Sequence, residues 1–281
     1  MDLVAAVKEF EKLREKLHED FPDKKISEEH LDISIIPCDT STTEEIWLNF
    51  WQKPIRSSKK IDYTNEYVAK HKDVFAGLWK EMTDENSPYK VDKVKRVFGK
   101  GSGSNPDNFV FVGKKSEKFA KDNSLSAYRL MAINNGGVRF NKRVKQYGKN
   151  PFPELSTKSN LEEYLFSKDF YATVMSLQKE MGPYWGGVTV CHLMTDCGIG
   201  IKPDIHAVTA LKYLGVIPMR FPRSIQSIKT CVETVQNATL LCKQLYGKVT
   251  ARNLRLVDLD LMHMGDKLEL NKHVENGTRV F

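Results

Sequence analysis

The stretch Lys202-Pro203-Asp204-Ile205-His206 opens an apolar run, Ala207-Val208-Thr209-Ala210-Leu211-Lys212-Tyr213-Leu214-Gly215, in a chain of 281 residues. A proline and an aspartate followed by apolar residues predict a helix that begins at Asp204 and ends at Gly215. A carboxylate at the start of a helix lies beside free backbone N–H groups and the positive end of the helix dipole, so we expect it to be ionised and fixed in position. Such a group can stabilise a developing cation or orient a water molecule, and it can also serve only as a helix cap.

The pattern from residue 160 onward is predominantly helical. One buried apolar helix is predicted from Gly186 to Cys197. The last predicted helix begins after Thr250 and ends at Gly265. Asp258 and Asp260 are alternate residues of this helix, so we expect their carboxylates to point apart rather than to act as a pair.

The first 150 residues predict a mixed α/β portion. Residues 2–19 carry apolar side chains at spacings of three and four, which is typical of an amphipathic helix. Residues 94–98 and 109–112 favour two short strands, and the glycine-rich loop at 99–108 between them lacks the residue order of a nucleotide-binding phosphate loop. The run Asn134-Asn135-Gly136-Gly137 is predicted to break a helix sharply.

These patterns together predict a mostly α-helical protein with a small N-terminal β element. Glycine and prolines between residues 148 and 158 indicate a boundary. We therefore expect an N-terminal α/β portion at 1–150 and a helical portion at 151–281.

Charge is distributed unevenly along a chain whose net charge is +7. Residues 1–50 hold 6 Lys/Arg against 13 Asp/Glu, residues 51–150 hold 22 against 10, and residues 151–281 hold 15 against 13. The basic middle block favours a polyanionic partner, of which nucleic acid is the commonest, although a solvated surface that only aids solubility has the same composition. The candidates for contact with DNA phosphates in this block are Arg139, Lys142 and Arg143.

The composition argues against several other classes of protein. No apolar run reaches the length of about 18 residues that a membrane-spanning helix needs, and the N-terminus lacks the pattern of a secretory signal. Five scattered cysteines are typical of a reducing compartment, so we expect a cytoplasmic, nucleoid-associated or, in a eukaryote, nuclear protein. Cys191, His192, Cys197 and His206 fit no familiar zinc-ligand spacing, so we expect buried thiols and no metal.

A glycine-containing turn from Met181 to Gly187 precedes Asp204 by about 18–22 residues. Glycines in such a turn let backbone N–H groups approach a phosphate, and the helix N-terminus behind them adds a favourable dipole. This order resembles the helix-hairpin-helix superfamily of DNA glycosylases over residues 160–265. Pro203-Asp204-Ile205-His206 stands where the family has a V-D-x-H-like element, whereas only Gly182 matches the family hairpin L-P-G-[VI]-G.

The resemblance implies a helix-hairpin-helix glycosylase-like fold and a DNA glycosylase that acts on a damaged or modified base. Asp204 would be the catalytic residue, and His206 would support it. Duplex DNA with an extruded base would be the partner of a monomeric protein, without an organic cofactor but with room for a monovalent cation at the hairpin carbonyls. The residues of the hairpin that would bind DNA are Gly182, Tyr184, Trp185, Gly186 and Gly187. Phe140, in the basic segment, is a further aromatic candidate.

Two departures from the family pattern bear on the mechanism. Bifunctional members carry a lysine about 18 residues before the aspartate, and Gly186 stands at that place here. We therefore expect a monofunctional enzyme that uses water, with Lys202 as the alternative nucleophile. The cysteine run of the family's iron–sulfur cluster is also absent, because only Cys231 and Cys242 follow residue 215.

Two other interpretations fit the same sequence. In the first, the chain is a non-catalytic helix-hairpin-helix DNA-binding protein, and Asp204 only caps its helix. In the second, it is an enzyme or adaptor of another class whose basic block binds RNA or an acidic protein.

Overall fold

The computed structural model describes residues 2–21, 35–56, 61–84, 86–90, 93–97, 108–182, 185–222 and 227–275. Tyr184 and residues 99–107 of the predicted glycine-rich loop lie outside these ranges.

Helices make up most of the described chain. Those before residue 150 are α1 (Leu3–Asp20), α2 (Thr43–Phe50), α3 (Lys53–Arg56), α4 (Ile61–Phe75), α5 (Lys114–Asp122) and α6 (Ala127–Tyr147). Those after it are α7 (Leu161–Phe166), α8 (Lys168–Met181), α9 (Gly187–Asp196), α10 (Ile205–Tyr213), α11 (Ile228–Tyr246), α12 (Ala251–Lys267) and α13 (Leu270–Glu275). Single turns of 3-10 helix occur at Leu78–Lys80 and Pro153–Leu155.

Strands β1 (Val94–Arg96) and β2 (Phe109–Phe111) pair antiparallel, with Lys95 opposite Val110. The prediction of a mostly α-helical fold with a small β element is therefore confirmed. The more specific helix-hairpin-helix glycosylase fold stays a prediction.

The chain divides into two compact units, each built from separate stretches of sequence. The first, here called the helical unit, comprises residues 1–37, 154–176 and 190–281. The second, here called the mixed unit, comprises residues 38–153 and 177–189. This division differs from a single cut after residue 150, because α1 buries Phe10, Leu13 and Leu17 and packs against α11 and α12.

In the helical unit, α10 is the most buried helix. Every residue from Ala207 to Tyr213 is buried, and the helix packs chiefly against α12 and α13. Because seven of its nine residues are buried, α10 gives a fixed position to the residue that caps it.

The core of the mixed unit is built from aromatic rings. Phe50 stacks on Trp185 with ring centroids 4.3 Å apart and lies 5.4 Å from the ring of Phe140. Trp47 and Trp51 are buried in the same unit. Aromatic pairs at these distances add to the stability gained from burial alone.

The predicted helix break at Asn134 to Gly137 is wrong, because α6 runs unbroken from residue 127 to residue 147. A Cβ atom at Gly136 would lie 2.8 Å from the Phe50 ring, and one at Gly137 would lie 1.8 Å from the sulfur of Met82. Each glycine costs a helix about 1 kcal/mol relative to alanine. Here that cost is offset by the close approach of core side chains, which only a residue without a side chain permits.

Candidate functional site

Asp204 caps α10, as the sequence predicts. Its Oδ1 accepts hydrogen bonds from the backbone N–H groups of His206 at 2.9 Å and Ala207 at 3.1 Å. Its Oδ2 lies 3.0 Å from Lys202 Nζ, and the side chain is 16% exposed. One oxygen thus holds the carboxylate in place, while the other faces a cation at a partly open position.

The loop before Asp204 is anchored by a carboxylate that lies 56 residues further along the chain. Ile199, Ile201 and Pro203 are buried, and the backbone N–H of Lys202 donates to Asp258 Oδ1 at 2.7 Å. Two residues of this loop, Gly198 and Gly200, have φ angles of +81° and +79°, which side-chain-bearing residues rarely adopt. The position of Asp204 is therefore set by a buried, tightly turned segment.

Asp258 is itself part of a buried charge network. Its Oδ2 accepts a hydrogen bond from Arg255 Nη1 at 2.6 Å. Burial raises its pKa to about 6, an effect that the positive charge of Arg255 and the Lys202 hydrogen bond oppose. Arg255 Nη2 also lies 3.8 Å from Asp196, at the end of α9, so the network joins α9 and α12 to the loop that carries Asp204.

Asp260, two residues further along, has a different partner. Its Oδ2 lies 3.3 Å from Arg14 Nε of α1, and burial raises its pKa to about 6. The two aspartates of α12 therefore hold separate parts of the unit, in agreement with the prediction that they point apart. The role of Asp258 as an anchor for the Asp204 loop was not predicted, because no local pattern connects residues so distant in sequence.

Gly265 does not end α12, and the prediction that it does so is wrong. The helix continues to Lys267. A Cβ atom at Gly265 would lie 2.2 Å from the His206 carbonyl oxygen and 2.7 Å from its Cα atom. The glycine therefore lets the backbone of α12 approach the first turn of α10, directly beside the Asp204 cap.

The backbone N–H of His206 donates to the Asp204 cap, and a supporting role for its imidazole stays a prediction. Its imidazole acts electrostatically on Asp266 of α12. Burial opposes ionisation of Asp266, yet hydrogen bonding to Lys267 and the positive charges of Lys267, His206 and His263 lower its pKa. The structure thus brings His206 together with Asp204 at the helix start and with a second carboxylate on α12.

The predicted turn between helices is present. Gly182 has a φ angle of +87°, its N–H donates to Gln178 at the end of α8, and its carbonyl accepts from Trp185 N–H at 3.0 Å. Gly186 is exposed, and Gly187 begins α9. The order of helix, glycine turn, helix and helix-capping aspartate is therefore observed, with Tyr184 outside the described residues.

Two of the aromatic side chains predicted to face DNA, Trp185 and Phe140, are buried. Trp185 is 1% exposed and stacks on Phe50, and Phe140 is fully buried. Both predictions are wrong for the same reason. A large ring gains more free energy in an aromatic core than at a wet turn, and the partner ring is distant in sequence.

The three basic candidates differ in their environments. The side chain of Arg143 is 4% exposed, forms an ion pair with Glu180, donates to the Pro151 carbonyl at 2.6 Å and lies over the Phe152 ring. The prediction that Arg143 binds DNA is therefore wrong, since this guanidinium holds the mixed unit together. Arg139 is half-buried and donates to the carbonyls of Glu180 and Asn135. Lys142 is exposed and stays a candidate for contact with phosphates.

All five cysteines are buried thiols that form no disulfide bond, as predicted. A hydrogen bond that the Cys191 thiol donates to Cys231 raises the pKa of Cys191, as does burial, and burial raises the pKa of Cys242 to about 12. Over the described ranges, no three His, Cys, Asp or Glu side chains are placed to hold a metal ion. In the same ranges, no helix combines the length and the apolar character needed to cross a membrane.

No family model matches the chain, and neither a curated protein nor a solved structure is significantly similar to it.

Proposed function

We propose that the protein is a monofunctional DNA glycosylase that hydrolyses the N-glycosidic bond of a damaged or modified base extruded from duplex DNA. The observation that best supports this proposal is the way in which the two oxygens of the Asp204 carboxylate are held. One oxygen is held by two backbone N–H groups, and the other lies at a partly exposed position beside Lys202.

This geometry suits the chemistry of base release. Cleavage of the N-glycosidic bond leaves positive charge on the sugar, and a carboxylate already fixed by the fold stabilises that charge without reorganising. Asp204 Oδ1 is used by the cap, so Oδ2 would face the sugar or orient the attacking water. The sugar cation would then compete with Lys202 for Oδ2, and the ammonium group would turn to a neighbouring phosphate.

The rigidity of the surroundings also supports the proposal. The Lys202 backbone is hydrogen-bonded to buried Asp258, and α12 lies against the first turn of α10 at Gly265. A catalytic group gains from such support because small displacements are costly in rate. A plain helix cap needs no comparable framework, as Asp2 of α1 illustrates by capping its helix from an exposed position.

DNA binding is supported by separate features. Gly186 is exposed directly before the first residue of α9, and exposed Lys142 belongs to the basic block of the sequence. Backbone N–H groups and lysines are the usual partners of DNA phosphates. The target base would have to leave the helical stack before its glycosidic bond could be reached.

One observation favours a second candidate, a non-catalytic DNA-binding protein. The hydrogen bonds of Asp204 are those of an ordinary N-cap and closely resemble those of Asp2. In that case, Asp204 would contribute to stability alone.

The two candidates are separated by an assay of free base. The full-length protein is incubated with duplexes that carry alkylated, oxidised or enlarged modified pyrimidines, and released bases are identified by mass spectrometry. The glycosylase proposal predicts one free base and one abasic site per turnover for at least one substrate. Salt-dependent binding to duplex DNA without release from any substrate supports the second candidate, and absence of DNA binding contradicts both.

A further inference from the structure

The small sheet and α5 bring the lysines between residues 93 and 118 onto adjoining elements of the mixed unit. The Val112 N–H, directly after β2, donates to the Lys93 carbonyl at 2.7 Å, and Ser116 Oγ of α5 lies 3.4 Å from the same oxygen. The Lys93 side chain lies against Gly113, where a Cβ atom would be 3.2 Å from its Cδ atom. The start of α5 therefore lies directly beside the chain that enters β1.

One face of this sheet is open to solvent. Lys95 lies opposite Val110 in the antiparallel pair, and both side chains point away from the face on which Val94 and Phe109 are buried. Val110 is 42% exposed, and Val112, two residues further on, is 61% exposed. No element in the described part of the chain covers this outer face.

Helix α5 presents lysines to solvent along one side. It packs inward through Ser116 and Ala120, which are fully buried. Its exposed lysines Lys114, Lys115 and Lys118 lie within an arc of about 100° on the side opposite these two residues.

The five lysines of the sheet and of this side of α5 are here called the basic surface. They are Lys93, Lys95, Lys114, Lys115 and Lys118. Within the described ranges, none of them forms an ion pair with a carboxylate, whereas Lys121 of α5 pairs with Glu117 at 2.8 Å. The one other carboxylate of α5, Asp122, offsets only part of this charge.

Two arginines of the same basic block are already engaged. Arg143 pairs with Glu180, and Arg139 donates to two backbone carbonyls. The basic surface instead holds five cations on adjoining elements, and like charges so placed repel one another. A bound polyanion relieves that repulsion and releases counterions, so the surface matches a partner with closely spaced negative charges.

We propose that the basic surface binds the phosphate backbone of duplex DNA. The choice of DNA among polyanions rests on the proposed function, which requires a duplex substrate. Lysine ammonium groups bind phosphates without reading the base sequence, so this surface would hold the duplex and leave base selection to another part of the protein. An anionic membrane fits less well, because membrane-bound faces present large apolar side chains such as Trp, Phe and Leu, whereas this face offers two valines.

The proposal is tested by salt titration of binding to an unmodified, fluorescein-labelled duplex. The variant Lys95→Gln/Lys114→Gln/Lys118→Gln removes three positive charges from exposed positions. It should bind about 10-fold or more weakly than the wild type at roughly 0.1 M salt, and its log–log salt slope should be smaller by about two to three. The variant Lys95→Arg/Lys114→Arg/Lys118→Arg keeps the charges and should bind within about threefold of the wild type.

A matched control removes the same number of charges from the helical unit. The control is Lys8→Gln/Lys16→Gln/Lys248→Gln, at three exposed positions, two of which lie on α1 among the carboxylates Glu11 and Glu15. It should bind the duplex within about threefold of the wild type. Circular dichroism and melting curves establish that all three variants are folded.

A measurement on the wild-type protein does not depend on any variant. The protein is briefly acetylated with and without the duplex, and modified lysines are quantified by mass spectrometry. Bound duplex should protect Lys95, Lys114 and Lys118 and leave Lys8 and Lys16 as reactive as in the free protein.

The outcomes separate this inference from the proposed function. Equal weakening by the two Gln variants, or no protection of the basic surface, would overturn the inference even if base release is observed. Selective weakening and protection without base release from any substrate would support the basic surface and contradict the glycosylase. Binding to phosphatidylserine vesicles that the Lys95→Gln/Lys114→Gln/Lys118→Gln variant loses, while its duplex binding is unchanged, would assign the surface to a membrane and overturn the inference. No binding of duplex DNA at all would overturn both proposals.

Discussion

The backbone N–H of Lys202 donates a hydrogen bond to Asp258 Oδ1 at 2.7 Å, so that a buried carboxylate of α12 fixes the chain two residues before Asp204. The carboxylate that anchors the loop is thus separate from the carboxylate that the loop presents. Burial raises the pKa of the anchor, whereas Asp204 keeps one oxygen at a partly exposed position. Asp258 is thus a structural carboxylate, and the carboxylate that we propose as catalytic lies at a separate position on the loop that Asp258 holds.

The raised pKa values of Asp258 and Asp260, each about 6, predict how stability depends on pH. An aspartate in the unfolded chain has a pKa of about 3.9. Between about pH 4 and 6 the folded protein therefore binds more protons than the unfolded chain. The contribution of each group to the free energy of unfolding therefore falls as pH rises through this window.

Removing one of these groups should weaken that dependence. We compare how far the free energy of unfolding falls between pH 5 and pH 7 in each protein. The fall should be about 1 kcal/mol smaller in Asp260→Asn than in the wild type. Urea denaturation at the two pH values measures the difference. Equal falls in the two proteins would show that Asp260 is not protonated preferentially in the folded state.

The contact between Gly265 and His206 predicts a large effect of a single methyl group. Gly265→Ala places a Cβ atom 2.2 Å from a backbone oxygen, which cannot move like a flexible side chain, so we expect a loss of about 3 kcal/mol or more in the free energy of unfolding. The matched control is Gly186→Ala, since a Cβ atom there meets nothing within 4 Å. A similar melting temperature for the two variants would contradict the close helix approach.

Adjacent residues of α6 should respond differently to loss of charge. Lys142→Gln should leave stability within about 0.5 kcal/mol of wild type and lower the salt dependence of DNA binding by about one ion. Arg143→Gln removes a buried guanidinium that pairs with the partly exposed Glu180 and donates to the Pro151 carbonyl, so it should destabilise the fold by about 2 kcal/mol. Chemical denaturation and salt titration of DNA binding measure both effects. A stable Arg143→Gln variant with a reduced salt slope would instead make Arg143 a DNA contact.

The position of Lys202 predicts the outcome of a trapping experiment. Its amine lies 3.0 Å from Asp204 Oδ2, and a lysine that attacked the sugar would form a Schiff base that borohydride reduces to a stable protein–DNA adduct. A water-using enzyme should give no adduct, and Lys202→Gln should still release base. An adduct in the wild type that disappears in Lys202→Gln would identify Lys202 as the nucleophile.

Local signals were enough to predict part of this structure. Helix α10 follows from a proline and an aspartate before an apolar run and a glycine after it, and the turn at Gly182 follows from the glycines between residues 181 and 187. These features depend on backbone preferences of neighbouring residues, which the sequence displays directly. The same holds for the apolar spacing of α1.

The errors arise where contacts between distant residues override local preferences. Glycine disfavours helices, yet three glycines lie inside helices at points where other atoms approach the backbone closely. They are Gly136, Gly137 and Gly265. Trp185 lies in a glycine-rich turn, yet it stacks on Phe50, 135 residues earlier in the chain. Contacts between such distant residues leave no periodic pattern in the sequence. The hydrogen bond between Asp258 and the Lys202 backbone could not be predicted for the same reason.

The most direct test of the central claim is the rate of base release by Asp204→Asn under single-turnover conditions, on a substrate that the wild type cleaves. Asparagine caps helices as well as aspartate does, so stability should change by about 1 kcal/mol or less and DNA affinity should be retained. The cap control Asp2→Asn should release base at the wild-type rate. We predict a loss of at least about 100-fold for Asp204→Asn, because the negative charge that stabilises the sugar cation is gone. Base release by Asp204→Asn at the wild-type rate would contradict the assignment of Asp204 as the catalytic residue.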